Sequence, residues 1–205
     1  MKKTVQELLE SRVSTGKFDP SRKLEADVLQ ELVRLATRAP SAFNLQNWHF
    51  IAIQSDEARE LLHPLAYNQP QILAASAVFI VCGELDAHER LHETLQPSVE
   101  AGMITDAIRE TWVEMAKASY GENEQARRDE AIRSASLAAM SLMVAAEGMG
   151  LASGAMGGFD PAGVMDAFGL DPARLPVMLV AVGHAAEGNW PQKQRRATEE
   201  VLEFR

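Results

Sequence analysis

The chain is poor in cysteine: Cys82 is the only one in 205 residues, so no internal disulfide can form. Cys82 lies in the apolar run Ala77–Cys82, which marks it as a buried core thiol in a reducing cytosol rather than a nucleophile. No apolar run reaches the ~18 residues that a membrane-spanning helix needs. The N-terminal stretch Met1–Glu7 has no apolar core of the signal-peptide kind. An excess of positive charge is missing too: the net charge is −9, which disfavours duplex nucleic acid and anionic membranes as partners. Gly-x-Ser-x-Gly, phosphate-loop and Gly-x-Gly-x-x-Gly patterns are all absent, so a nicotinamide cofactor would have no Rossmann domain of its own here. These absences point to a cytoplasmic globular protein.

What is present reads as one domain spanning residues 1–205, 46% hydrophobic and 24% charged. Helices are predicted at Thr4–Ser11, Glu25–Ala39, Asp56–Leu65, Leu85–Leu95, Met103–Tyr120, Ala126–Met149 and Pro161–Phe168. Strands are predicted at Trp48–Gln54, at the near-continuous apolar run Ala77–Gly83 and at Pro176–Gly183. Leu151–Phe159 reads as a glycine-rich turn. Three or four strands among five to seven helices, without regular βαβ alternation, give an α+β fold. The long helix is apolar almost all round from Leu137 to Ala146, so it must be covered on every side, most simply by other helices and a second subunit.

Charge is unevenly distributed. Residues 1–23 carry a net +3, residues 191–205 a net +1 and everything between −13. If the chain ends meet, their cations form a small anion site; the alternative is that they solvate the tails. Between the second helix and the first strand runs Ala39-Pro40-Ser41-Ala42-Phe43-Asn44-Leu45-Gln46-Asn47-Trp48, dense in hydroxyls and amides and almost free of charge. Such a loop suits a neutral, planar, hydrogen-bonding ligand better than a phosphate or a metal. His88-Glu89-Arg90-Leu91-His92 matches the zinc-helix spacing formally, but its polar flanks read as a solvated surface helix. The Glu-x-x-His pairs at Glu60–His63 and Glu89–His92 are separated by the strand Ala77–Cys82, which breaks the four-helix bundle that a di-iron site requires.

Four places resemble the FMN-dependent nitroreductase family, and the likeness spans nearly the whole chain. Arg12-Val13-Ser14-Thr15-Gly16-Lys17-Phe18-Asp19 is similar to the family's Arg-Arg-Ser-x-Arg-x-Phe segment, departing from it at Val13 and Gly16. The resemblance implies that Arg12 and Ser14 hold the FMN phosphate beside Val13 and Gly16, with Lys193 and Arg195 as the closing basic pair. The Pro40–Trp48 loop resembles Pro-Ser-x-x-Asn-x-Gln-Pro-Trp, with Asn47 where proline is usual. It implies that Pro40, Ser41, Ala42 and Asn44 of one chain complete the flavin site of the other. Asn68-Gln69-Pro70-Gln71 resembles the segment that faces the flavin's pyrimidine edge and ribityl chain, implying contacts from Asn68 and Gln71. Glutamine in place of the lysine of some members should lower the reduction potential. Ala155-Met156-Gly157-Gly158-Phe159 resembles the turn whose backbone N–H groups approach flavin N5 and O4.

The resemblance implies a nitroreductase-like mixed sheet flanked by helices, in an intertwined homodimer with FMN at the subunit interface. It further implies ping-pong electron transfer from NADPH or NADH to nitroaromatic or quinone-type acceptors. The flavin would carry the chemistry, with the Gly157 backbone in support and no catalytic side chain. Leu85–Tyr120 would cover the open flavin face, with Met103, Ile104, Ile108, Trp112 and Met115 as candidate pocket residues or ordinary core. The alternatives are a same-fold flavoenzyme with other chemistry (dehalogenation, enoate reduction, flavin breakdown), a flavin-binding dimer without turnover, or a zinc peptidase.

Overall fold

The computed structural model describes residues 3–205, so Met1 and the cation Lys2 lie outside the described residues. A four-stranded sheet in the order β1-β2-β4-β3 forms the middle layer: β1 is Trp48–Ile53, β2 Ala77–Glu84, β3 Ala152–Met156 and β4 Arg174–Gly183. All three ladders are antiparallel. The parallel character of the expected mixed sheet is confined to an isolated bridge between Ser14 and Ser153.

Strand β2 is buried on both faces, as its apolar run predicts. Phe79 and Val81 point into one core with α2 (Ala26–Ala36) and α7 (Glu124–Gly148), among Leu32, Leu142 and Val180. Val78, Ile80 and Cys82 point into a second core, with Leu62 of α3 (Asp56–Leu65), Ile72 of α4 (Gln71–Ala74) and Val164 of α8 (Pro161–Phe168). The sheet is therefore sandwiched between helices, an α+β arrangement. Each fully buried Leu, Ile or Phe in these layers contributes roughly 1.5–3 kcal/mol. At Gly83 the α7 backbone comes so close that a β-carbon would sit 2.5 Å from the Ala131 carbonyl oxygen, so only glycine lets the helix lie flat on β2.

The remaining helices are α1 (Val5–Ser11), α5 (Leu91–Glu100) and α6 (Asp106–Tyr120). Helix α1 starts on a capping box: the Glu7 N–H bonds Thr4 Oγ1, and the Thr4 N–H bonds Glu7 Oε2 at 2.6 Å.

Several expectations are corrected. Helix α2 ends at Ala36 rather than Ala39, because the chain tightens into successive turns (Arg38 N–H to Leu35 O, Ala39 N–H to Ala36 O) ahead of Pro40. The segment expected as a helix from Leu85 begins as a 3₁₀ turn at Ala87–Arg90 and continues as α5 past Pro97, which sits in its last turn. Among the described residues eight α-helices form, one more than the upper expectation, because the four-residue α4 has no legible period. The greatest difference is at Leu151–Phe159, where a strand, β3, replaces most of the expected glycine-rich turn. Helix α7 is covered on one side only within a single chain: Leu137 and Met140 remain 42% and 37% exposed.

Burial pushes the Cys82 thiol up to about 11 and keeps it protonated at neutral pH. A thiol reagent at pH 8 is therefore expected to leave the folded protein unmodified and to titrate one thiol after denaturation. Fast labelling of the native protein would show that the β2 layer opens.

Candidate functional site

The segment following α1 lies flat against the edge strand β3. Ser14 bridges Ser153, and the Thr15 N–H donates to Ser153 O at 2.9 Å. The approach is so close that a methyl group on Gly154 would overlap the Thr15 carbonyl oxygen. That requirement explains a glycine in the middle of a strand. Val13 and Thr15 line a cleft of about 710 Å³ with Lys3, Leu8, Glu147 and Leu151. Alternation along the extended segment turns Arg12 and Ser14 the other way.

The chain ends do meet. Gln192 Nε2 donates to Arg12 O at 2.9 Å, and Arg195 donates to Gln192 Oε1 at 3.0 Å and to Lys193 O at 2.7 Å. Asn189 Oδ1 accepts from the N–H groups of both Gly16 and Lys17. Arg12, Ser14, Gly16, Lys193 and Arg195 are thus drawn to one end of the molecule. Nothing lies within 4 Å of a β-carbon built on Gly16, so glycine there is not a packing requirement.

The turn before β2 and the turn after β3 also meet. Gln69 Nε2 donates to Gly158 O at 2.7 Å and to Ala66 O at 3.1 Å; the Tyr67 hydroxyl donates to Phe159 O at 3.3 Å. Gln71 Nε2 in turn donates to Gln69 Oε1 at 3.1 Å. Asn68, Gln71, Gly157 and Gly158 therefore belong to one locality, with Ala155 and Met156 in the strand leading into it. Gln69 and Tyr67, which hold the two turns together, were not among the residues singled out from sequence. Their only prior signal was their place inside a polar turn.

The Pro40–Trp48 loop does not join these places within one chain. Strand β1 starts opposite Gly83 at the far end of β2, whereas β3 pairs only with the Leu179–Gly183 half of β4. Pro40, Ser41, Ala42 and Asn44 thus sit at the opposite end of the sheet. The loop is held locally: the Gln46 N–H donates to Ser41 Oγ at 2.9 Å, and Phe43 packs edge-on to Tyr120. Buried Glu130, paired with Arg133 and bonded by Ser134, accepts the Ala42 N–H at 3.4 Å. The five non-glycine residues with positive φ among the described residues are Phe43, Asn44, Gln46, Tyr67 and Asn68. Three fall in the Pro40–Trp48 loop, Asn68 opens the Asn68–Gln71 segment nominated from sequence, and Tyr67 immediately precedes it.

His88 and His92 do not share a continuous helix, since His88 lies in the 3₁₀ turn and α5 starts at Leu91. His88 is buried rather than solvated, packed edge-on to Tyr120, and burial lowers its basicity. His92 faces Glu110 at 3.2 Å. Among the described residues no three metal-ligating side chains converge. Of the proposed pocket stripe, Ile104 and Trp112 pack against the Leu91–Leu95–Val113 cluster, while Met103, Ile108 and Met115 are exposed.

This architecture is shared with a known class. The profile of the Nitroreductase family matches residues 9–184, and the chain belongs to that family. A Bacillus subtilis relative named "Putative NAD(P)H nitroreductase YodC" is 40% identical over 181 residues, covering 88% of this chain and 89% of the relative. The "CLA biosynthesis enone reductase" of Lactiplantibacillus plantarum is 32% identical over 184 residues, covering 86% and 83%. The crystal structure of a "putative nitroreductase in complex with FMN" from Exiguobacterium sibiricum superposes with a TM-score of 0.92 at 29% identity. It covers 99% of this chain and 98% of that one.

Seating of the 12–16 segment on β3 is open to direct test. Gly154→Ala is expected to cost about 1–3 kcal/mol by overpacking, seen as a fall in Tm, while Gly16→Ala stays near wild type. Equal stability of the two variants would contradict the close contact.

Proposed function

We propose that the protein is an FMN-dependent oxidoreductase that passes electrons from NADPH or NADH to nitroaromatic or quinone-type acceptors by a ping-pong mechanism. The observation that carries this reading is the concentration of backbone strain. Left-handed conformations at non-glycine residues cost of order 1–3 kcal/mol each and persist where surrounding structure enforces them, commonly at ligand sites.

The donor set suits FMN. Arg12, Lys193 and Arg195 supply cations and Ser14 a hydroxyl, the combination that charge-assisted phosphate binding needs. Asn68 and Gln71 offer both donors and acceptors to the alternating edge of an isoalloxazine ring. Gly157 leaves an open cradle, because a β-carbon there would meet nothing within 4 Å. The chemistry that FMN supplies when bound is two-electron transfer in two half-reactions, from nicotinamide and then to acceptor. The chain's part is to bind, to orient backbone donors at Gly157 and Gly158, and to limit water access. No side-chain acid, base or nucleophile is assigned a step.

A homodimer follows from the same reading, on three supports. The Pro40–Trp48 loop sits at the wrong end of the sheet to complete the site of its own chain. Strand β1 is an edge strand. Helix α7 leaves Leu137 and Met140 exposed, and the C-terminal tail presents Val201, Leu202 and Phe204. A second chain placing its loop over the first chain's phosphate and turn residues would cover such surfaces. Enone reduction on the same scaffold is the second reading, favoured by the enone reductase relative.

Purified protein is expected to be yellow, with flavin bands near ~450 nm that bleach on anaerobic addition of NADPH or NADH. Reoxidation by a nitrofuran or quinone faster than by an α,β-unsaturated ketone supports the first acceptor class, and the reverse order supports the second. A colourless protein that takes up no added FMN would overturn the proposal.

A further inference from the structure

We infer that Gln69 is a positioning residue that sets the reduction potential of bound FMN by orienting Gln71; the inference rests on the flavin reading above. Hydrogen bonding fixes the orientation of the Gln69 amide. Gln69 faces two carbonyl oxygens, Ala66 O at 3.1 Å and Gly158 O at 2.7 Å. Carbonyl oxygens only accept, so both require the amide nitrogen of Gln69, and its Oε1 must point the other way. Gln71 Nε2 lies 3.1 Å from that Oε1. An acceptor there requires Gln71 to present its own nitrogen, so its amide orientation is dictated as well. One N–H of Gln71 is consumed by Gln69, while its second N–H and its Oε1 stay directed by the same constraint. The order of dependence runs from Gly158 to Gln69 to Gln71.

The consequence is electrostatic. Two-electron reduction places negative charge on the N1–O2 side of a flavin, and an N–H held toward that side favours the reduced form over the oxidised form. With Gln69 present, Gln71 enters the site with its donor already oriented. Without it, the amide rotates freely and the donor is aimed for a fraction of the time. Reduced FMN then loses more than oxidised FMN. The Gly158 end of the network holds the plane of the Gly158–Phe159 peptide and so the path of the turn. Gln69 touches neither reacting partner and acts only through these neighbours.

The experiment measures the two-electron midpoint potential of bound FMN in wild type, Gln69→Met, Gln69→Leu, Gln71→Leu and the Gln69→Met/Gln71→Leu double variant. Circular dichroism melts and the Kd for oxidised FMN are measured alongside. Each Gln69 variant is expected to weaken reduced relative to oxidised binding about tenfold, a fall of about 30 mV for a two-electron couple. In the Gln71→Leu background the same change should leave the potential where Gln71→Leu alone puts it, because the effect passes through Gln71. An unchanged potential in both Gln69 variants would overturn the proposal, as would an equal shift with and without Gln71. Loss of fold in both Gln69 variants, with Gln71→Leu intact, would make the role structural and also overturn it. Wild-type protein that takes up no FMN would instead defeat the flavin reading, and this inference with it.

Discussion

The position of α7 across the sheet is the constraint on which the rest depends. Its 25 residues span about 37 Å at the α-helical rise. The contact at Gly83 sets its distance from β2, and Ala131, Ala135, Ala138 and Ala139 keep that face shallow enough for close packing. Both ends of the helix then hold something in place. Near its start, Glu130 accepts the Ala42 N–H and so anchors the Pro40–Trp48 loop. Near its end, Glu147 accepts from Lys3 and Ser11 at 2.6 Å each and anchors α1, which leads into Arg12 and Ser14. A shift of α7 would move the two halves of the proposed site together.

Strain and anchoring balance in the two loops. Positive φ at Phe43, Asn44 and Gln46 is opposed by local bonds to Ser41 and Glu130 and by the packing of Phe43 on Tyr120. Positive φ at Tyr67 and Asn68 is opposed by the Tyr67, Gln69 and Gln71 bonds toward the Gly158 turn. In both loops asparagine takes one strained position, consistent with its tolerance of the left-handed region. Phe43 and Tyr67 have no such tolerance, and each is held by its aromatic ring or hydroxyl instead.

Much of this was legible in the sequence where one local rule dominated. The apolar run from Ala77 announced a strand buried on both faces, and the helix read at Pro161–Phe168 is α8 with the same ends. The helix read at Thr4–Ser11 is α1, with Thr4 as its N-cap. Strand β3 was not legible, because Ala-Ser-Gly-Ala-Met has neither β-branched residues nor alternation, and its glycine answers to the Thr15 carbonyl, a contact distant in sequence. The same holds for Gln69, whose bond to Gly158 O reaches a turn 89 residues away. The burial of His88 depends on Tyr120, which its polar neighbours in sequence could not signal.

In the proposed dimer each site is completed by two chains: phosphate and turn residues from one, the Pro40–Trp48 loop from the other. Co-expression of an Arg12→Glu chain with an Asn44→Asp chain, carrying different affinity tags, tests it most directly. Each variant alone should retain little FMN. Random pairing in a two-fold dimer should rebuild about a quarter of the sites, all of them in the doubly tagged fraction. Doubly tagged protein that holds no more flavin than either parent would contradict the account.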